Sequence, residues 1–233
     1  MTKTKFVFRS TTPETAVQGS GQRVEQKRDL SGFERLEVHG PFDVELAPGA
    51  AGPARLEGDD NVLPLARLEM AGSLLTVRLA TDDGGSLSVA TEQPISLRLP
   101  VKDLGRVQVH STSRVRSTKP LRAPSLELET HGSAVVDLEL DTDELRQEAK
   151  GNAEVTLRGR TGTHRVRASG SSEVHAFELA AEVCEARASG SATVEVQAHG
   201  QLDARASGKA RIAYQGDPAI SQTLSGKGQI ERG

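Results

Sequence analysis

The feature that most constrains this chain is a spacing. Glycines stand at 132, 151, 170, 190, 208 and 226, separated by 19, 19, 20, 18 and 18 residues. Each sits in a related segment: His131-Gly132-Ser133-Ala134-Val135-Val136, Lys150-Gly151-Asn152-Ala153-Glu154-Val155 and Ser169-Gly170-Ser171-Ser172-Glu173-Val174 are the first three. Ser189-Gly190, Ser207-Gly208 and Ser225-Gly226 open the next three, and a weaker copy, His110-Ser111-Thr112-Ser113-Arg114-Val115, precedes the series. A fixed internal period of this kind signals a repeat architecture, in which one unit cannot bury its apolar face alone and stacks on its neighbours.

Around each glycine, apolar residues alternate with polar ones at a period of two, as in a strand with one buried face. Leu126 and Leu128, Leu145 and Ala149, Val166 and Ala168, then Cys184, Ala186 and Ala188 precede the turns; Val136 and Leu138, Val155 and Leu157, Val174 and Ala176 follow them. A hairpin meander would need two turn signals per period, and only one is present. One coil per period is therefore expected, each hydrogen-bonded in parallel to the last at about 4.8 Å. The recurring glycine implies a positive φ or a close backbone approach at the corner. The column Ser169, Ser189, Ser207 and Ser225 is expected to serve corner backbone groups.

The fold class that follows is all-β: a parallel β-helix, or β-solenoid, with coils of about nineteen residues. Residues 110–233 form the regular Gly-cornered coils. Residues 31–109 keep the two-residue alternation with irregular corners at Ala47-Pro48-Gly49, Gly58-Asp59-Asp60-Asn61 and Asp82-Asp83-Gly84-Gly85. Residues 31–233 read as one solenoid domain of roughly ten or eleven coils, about 50 Å long; a mixed sheet layer near 60–80 is the alternative. Residues 1–30 read as a tail, with Lys5-Phe6-Val7-Phe8-Arg9 available as an added strand.

Gly32-Phe33 to Val38, Gly40-Pro41-Phe42-Asp43-Val44-Glu45-Leu46 and Gly58-Asp59-Asp60-Asn61-Val62-Leu63 resemble the head-GIN-domain family, known only by the label "putative auto-transporter adhesin". With the repeated Ser-Gly-Ser-Ala-x-Val corners, the resemblance spans about residues 30–233. It implies a right-handed β-helix, exported or held at the bacterial cell envelope, with no assigned catalytic residues. The chain shows no signal peptide, which leaves a cytoplasmic location as the alternative.

Composition narrows the function classes. A net charge of −3 and a pI near 6.1 argue against a nucleic-acid partner. Cys184, the single cysteine, excludes an internal disulfide and a Cys-rich metal site, and its alternation places it inside as a small core residue. No stretch approaches the length of a membrane span. No Ser/His/Asp order, P-loop, nucleotide fingerprint or zinc spacing is found, so neither cofactor nor catalytic residue is expected.

Three constellations stand out beside the corner glycines Gly132, Gly151, Gly170, Gly190, Gly208 and Gly226. Arg167, Arg187 and Arg205 share one outward position in successive coils, a ladder that would attract a sulfated or carboxylated polymer. With Glu185, Asp203, Glu154 and Glu173 near them, a solvated ion-pair lattice is the preferred reading. His39, His110 and His131 each precede a corner residue, and stacking brings His110 and His131 to about 5 Å, near enough to share a metal. With Lys150 next in that column and no fixed carboxylate evident beside it, exposed corner histidines are preferred and no metal is expected. Gly58-Asp59-Asp60-Asn61 with Asp82-Asp83 offers oxygen ligands for calcium, but such clusters are ordinarily plain turns.

A non-enzymatic, adhesin-like structural or interaction module is therefore expected, associating through its ends or binding an extended extracellular polymer or protein. Its last residues, Gln229-Ile230-Glu231-Arg232-Gly233, stop mid-coil, so an open end should self-associate or be covered by the tail. A polysaccharide-binding or polysaccharide-cleaving β-helix is one alternative, resting on fold analogy and weakened by the absence of Trp. A cytoplasmic β-helical filament is the other.

Overall fold

The computed structural model describes residues 16–233, apart from 31, 50, 82–84 and 86. Its core is a β-solenoid of about seven turns with coils of about nineteen residues. Strand Val135–Gly151 pairs in parallel with Glu154–Gly170 from Val135↔Glu154 through Gly151↔Gly170. On its other side it pairs, likewise in parallel, with Arg114–Ser117 and Leu121–Gly132. Each long strand leaves one glycine corner, bends once and arrives at the next, so every coil offers a post-corner and a pre-corner face.

The interior is built from stacked like side chains. Val136, Val155, Val174, Val194 and Ile212 form one buried column, and Leu138 stacks on Leu157 and Ala176 on Val196 beside it. Branched and short aliphatic chains pack efficiently when a neighbour of the same shape lies above and below, which suits an aromatic-poor sequence. The uneven glycine intervals do not disturb the corners. Register shifts fall between Thr156 and Arg158, between Ala176 and Ala180, and between Ala181 and Val183, all on the post-corner side or the bend. Arg167↔Arg187 and Arg187↔Arg205 therefore remain directly opposite.

The irregular half departs from the expected stack of ten or eleven coils. The coil containing Arg35–His39 and Phe42–Pro48 has two parallel neighbours: Leu74–Leu79 with Ile95–Val101 on one side, and Arg106–His110 with Arg114–Ser117 on the other. Coils therefore stack out of chain order there. Beyond them the pairing turns antiparallel: Ala66–Ala71 folds back on Leu74–Leu79, and Ala54–Asp59 lies along Ile95–Val101. The described residues between 49 and 105 thus form one displaced coil and an antiparallel cover, which accounts for the smaller number of turns and gives a mixed layer near 60–80.

Part of the expected tail is built into this cover. Arg23–Arg28 adds antiparallel to Ala54–Asp59, and Val17–Gln18 pairs with Val89–Ala90. Lys5–Arg9 lies outside the described residues. The described tail segment occupies the end opposite Ala219–Leu224 and Gln229–Arg232, so that segment does not cover the far end. Among the described residues no helix is long and apolar enough to cross a membrane.

Candidate functional site

The corner glycines form a file with two further members. Register places Ser111 beside Gly40 and Gly132, and Gly132 through Gly226 follow in sequence. The six expected glycines have φ between 67° and 83°. A Cβ on Gly170 would lie 2.7 Å from the Gly151 carbonyl oxygen. Both reasons for glycine therefore apply at once: a left-handed backbone and a neighbouring backbone too close for a side chain. Backbone groups satisfy the corners: Asn152 N–H donates to Gly132 O at 2.7 Å, and Ser171 N–H to Gly151 O at 2.7 Å. The serine column was expected to do this, yet only Ser207 Oγ reaches a neighbouring-coil carbonyl, Ala188 O at 3.5 Å. Ser169 and Ser189 hydroxyls donate to no group among the described residues.

The pre-corner face that this file borders is polarised along the axis. Its middle outward column runs Glu37, Gln108, Glu129, Glu148, Arg167, Arg187, Arg205 and Thr223; its corner column runs His39, His110, His131, Lys150, Ser169, Ser189, Ser207 and Ser225. One half is thus acidic with imidazoles, and the other basic with hydroxyls.

In the basic half the expected ion-pair lattice forms only in part. Glu185 turns to Arg165 at 3.2 Å, Glu144 also binds Arg165, and Asp203 holds Arg205 at 2.9 Å. Glu173 and Glu195 face His175 at 3.5 and 2.9 Å. Arg167 and Arg187 are left without a carboxylate or hydrogen-bond partner among the described residues. The two line a groove of about 370 Å³ with Arg205, Ser169, Ser189 and Ser207. Neighbouring guanidinium groups that form no ion pair, with Glu148 beside Arg167 held by Lys150, favour an anionic ligand, and the unused hydroxyls beside them supply further donors.

In the acidic half the three histidine rings stack almost parallel, at 4.3 Å for His39–His110 and 5.0 Å for His110–His131. Carboxylates flank them after all: Glu37 Oε1 lies 2.7 Å from His39 Nε2 and 3.8 Å from His110 Nε2, and Glu129 Oε2 lies 3.7 Å from His131 Nε2. Partial burial, with His39 and His131 on either side, holds the His110 imidazole below its ordinary pKa. The preceding column hid these carboxylates from sequence reasoning, because Glu37 and Glu129 sit two residues from the histidines they face.

The described part of the expected calcium cluster is spent within the chain. Asp59 Oδ2 accepts Gly21 N–H at 3.3 Å, Asp60 Oδ1 accepts the Ser20 hydroxyl at 2.5 Å, and Asn61 Oδ1 accepts Ser20 N–H at 2.9 Å. The turn fastens the incoming segment. Asp82 and Asp83 fall outside the described residues. Cys184 is buried and its thiol is pushed up to about 12, chiefly by desolvation. It faces His164, which is itself buried, so neither group is open to a substrate.

Over residues 32–218 the chain matches the family described as "Putative auto-transporter adhesin, head GIN domain". No curated protein matches it. Among solved structures it is similar to a "putative adhesin" from Bacteroides fragilis NCTC 9343, with 20% identity, 93% of this chain and 100% of that one covered, and a TM-score of 0.84. It is also similar to a "putative lipid binding protein" from Parabacteroides distasonis ATCC 8503, with 21% identity, coverage of 94% and 100%, and a TM-score of 0.77. A "putative adhesin" from Parabacteroides merdae ATCC 43184 aligns at 19% identity, 94% and 99% coverage, and a TM-score of 0.73. At these identities the likeness is one of fold.

Proposed function

The chain belongs to the head GIN domain family, and on that footing we propose that it is a non-enzymatic, adhesin-like module whose pre-corner face binds an extended anionic polymer. The observation that carries this reading is the unpaired Arg167–Arg187 step, continued by Arg205 and edged by Ser169 and Ser189. Each coil advances by about 4.8 Å, so the ladder suits sulfate or carboxylate groups recurring along a flexible strand better than a compact ligand. A non-enzymatic role is supported by the burial of two reactive groups, His164 and Cys184, in the core. The family description supports a location outside the cytoplasm; fractionation of the native host checks it.

The test is retention on dextran sulfate against unsulfated dextran. The purified chain should bind the sulfated polymer, weaken as salt screens the charges, and release no new reducing ends. Arg167→Ala with Arg187→Ala should weaken retention by about tenfold or more, the expected loss for charge-assisted bonds to an anion. Equal retention on both polymers, or a double variant that binds like the parent, overturns the reading.

A second reading, association with another copy, has its own observation. Ala219–Leu224 pairs on one side only, with Gln201–Ala206, and exposes Ile220 and Leu224 at 40% and 52%. An open edge with apolar side chains is a template for another strand. Light scattering should then give oligomers for the parent and monomers for Ile220→Glu with Leu224→Glu; a monomeric parent at high concentration removes this reading.

A further inference from the structure

We propose that Glu37, His39 and His110 form a binding site for a borderline divalent transition cation such as zinc, with His131 and Glu129 as its outer neighbours. The ligand atoms of the first three residues all lie within 4.8 Å of one another. Glu37 Oε1 is shared between the rings, at 2.7 Å from His39 Nε2 and 3.8 Å from His110 Nε2.

Two imidazole nitrogens and one carboxylate oxygen are a donor set that suits zinc, copper or nickel rather than calcium or magnesium, which take oxygen ligands. Zinc holds nitrogen at about 2.0–2.1 Å, which puts neighbouring tetrahedral ligands about 3.3 Å apart. The Glu37–His39 pair must open slightly, His110 must swing in from 3.8 Å, and the two nearly parallel rings must turn toward each other, all by side-chain rotation. His39 and His110 face each other directly across one parallel ladder, and Glu37 lies two residues from His39 on the same strand face. The backbone already stands where the ligands require it.

A hydrogen bond alone does not explain the arrangement. Glu37 satisfies His39, but His110 Nε2 is a buried atom with no hydrogen-bond partner. Leaving such an atom unmet is unfavourable, and in the tautomer whose Nε2 carries the lone pair it offers a cation a nitrogen beside a carboxylate and a second imidazole. Glu129, already held by Arg106 and Gln108, closes the far side at His131. The bound ion would also tie the coil bearing Arg35–His39 to its neighbour bearing Arg106–His110.

The experiment is a calorimetric titration of the full chain, stripped with chelator, with zinc, calcium and magnesium chloride in turn. Imidazole NMR signals are followed in the same titrations. One zinc per chain should bind saturably, with calcium and magnesium silent, and the His39 and His110 signals should move while exposed His199 stays. His39→Asn, and separately Glu37→Gln, should lose the binding, whereas His199→Asn keeps it. No saturable zinc uptake by the parent chain overturns the site. So does uptake that leaves the His39 and His110 signals unmoved, a measurement that does not depend on any variant folding.

Discussion

Gly151 stands directly on Gly132: a Cβ built on it would lie 2.8 Å from the Gly132 carbonyl oxygen, at a φ of 83°. Gly21, at a φ of 80°, meets nothing within 4 Å. The pair separates backbone strain from steric contact. Gly21→Ala should cost only the left-handed penalty of about 1–2 kcal/mol. Gly151→Ala should cost more, because the coil beneath must also move. Urea midpoints of the two variants check the order, and equal losses would mean that the coils are not pressed together at this corner.

Ser111 occupies the same file with a φ of 63°, the single positive-φ residue other than glycine among those described. Ser111→Gly relieves that strain and gives back part of the gain in unfolded-chain entropy. A net stabilisation of about 0.5–1 kcal/mol is expected, read as a higher urea midpoint with unchanged slope.

His164 and Gln147 face each other inside the solenoid, with His164 Nε2 donating to Gln147 Oε1 at 2.9 Å. Burial pushes His164 down from 6.5 to about 4. Below pH 6.5 the unfolded chain gains a proton there that the folded chain refuses, so the contribution is whole above 6.5 and fades as pH falls toward 4. The complete loss is about 3 kcal/mol. His164→Leu alone should remove this pH dependence but strand Gln147, whose Nε2 already lacks a partner. His164→Leu with Gln147→Leu should restore or exceed parental stability, since replacing both partners leaves nothing unpaired. Thermal melts between pH 4 and 7 check both statements.

Cys184 should be inert in the native state. Its buried thiol is pushed up to about 12, and the thiolate is the reactive form. A thiol reagent should label the chain only after denaturant opens the solenoid; rapid labelling of native protein would show that the core at this coil is open.

The regular half of the molecule was legible because each coil repeats one instruction. Gly132 to Gly226 mark corners, and Val136, Val155, Val174 and Val194 mark the interior by alternation. The irregular half was not legible to the same degree. Nothing local in Leu74–Leu79 says that it lies beneath Arg35–His39, since that pairing is a long-range choice of edge. Arg23–Arg28 offered Val24 as its one apolar residue, too little alternation to read as a strand. His164 and Gln147 occupy inward positions that the apolar pattern skips, so polarity concealed them. At the candidate site the ladder Arg167, Arg187 and Arg205 was visible, but which carboxylates those arginines lack depends on side-chain direction. Glu185 prefers Arg165, and only the structure contains that fact.

Because they are unpaired, Arg167 and Arg187 should matter for binding and hardly for folding. Arg167→Ala and Arg187→Ala should each leave stability within about 0.5 kcal/mol of the parent. Equilibrium unfolding checks this, and a larger loss would show that the guanidinium groups hold the fold together.

An anionic polymer should lie along the pre-corner face beside the corner file. Backbone amide NMR during titration with short dextran sulfate chains measures this directly. The predicted result is a band of shifts at residues 167–169, 187–189 and 205–207, one step per coil. Shifts confined to the post-corner face, or none at saturating polymer, would contradict it.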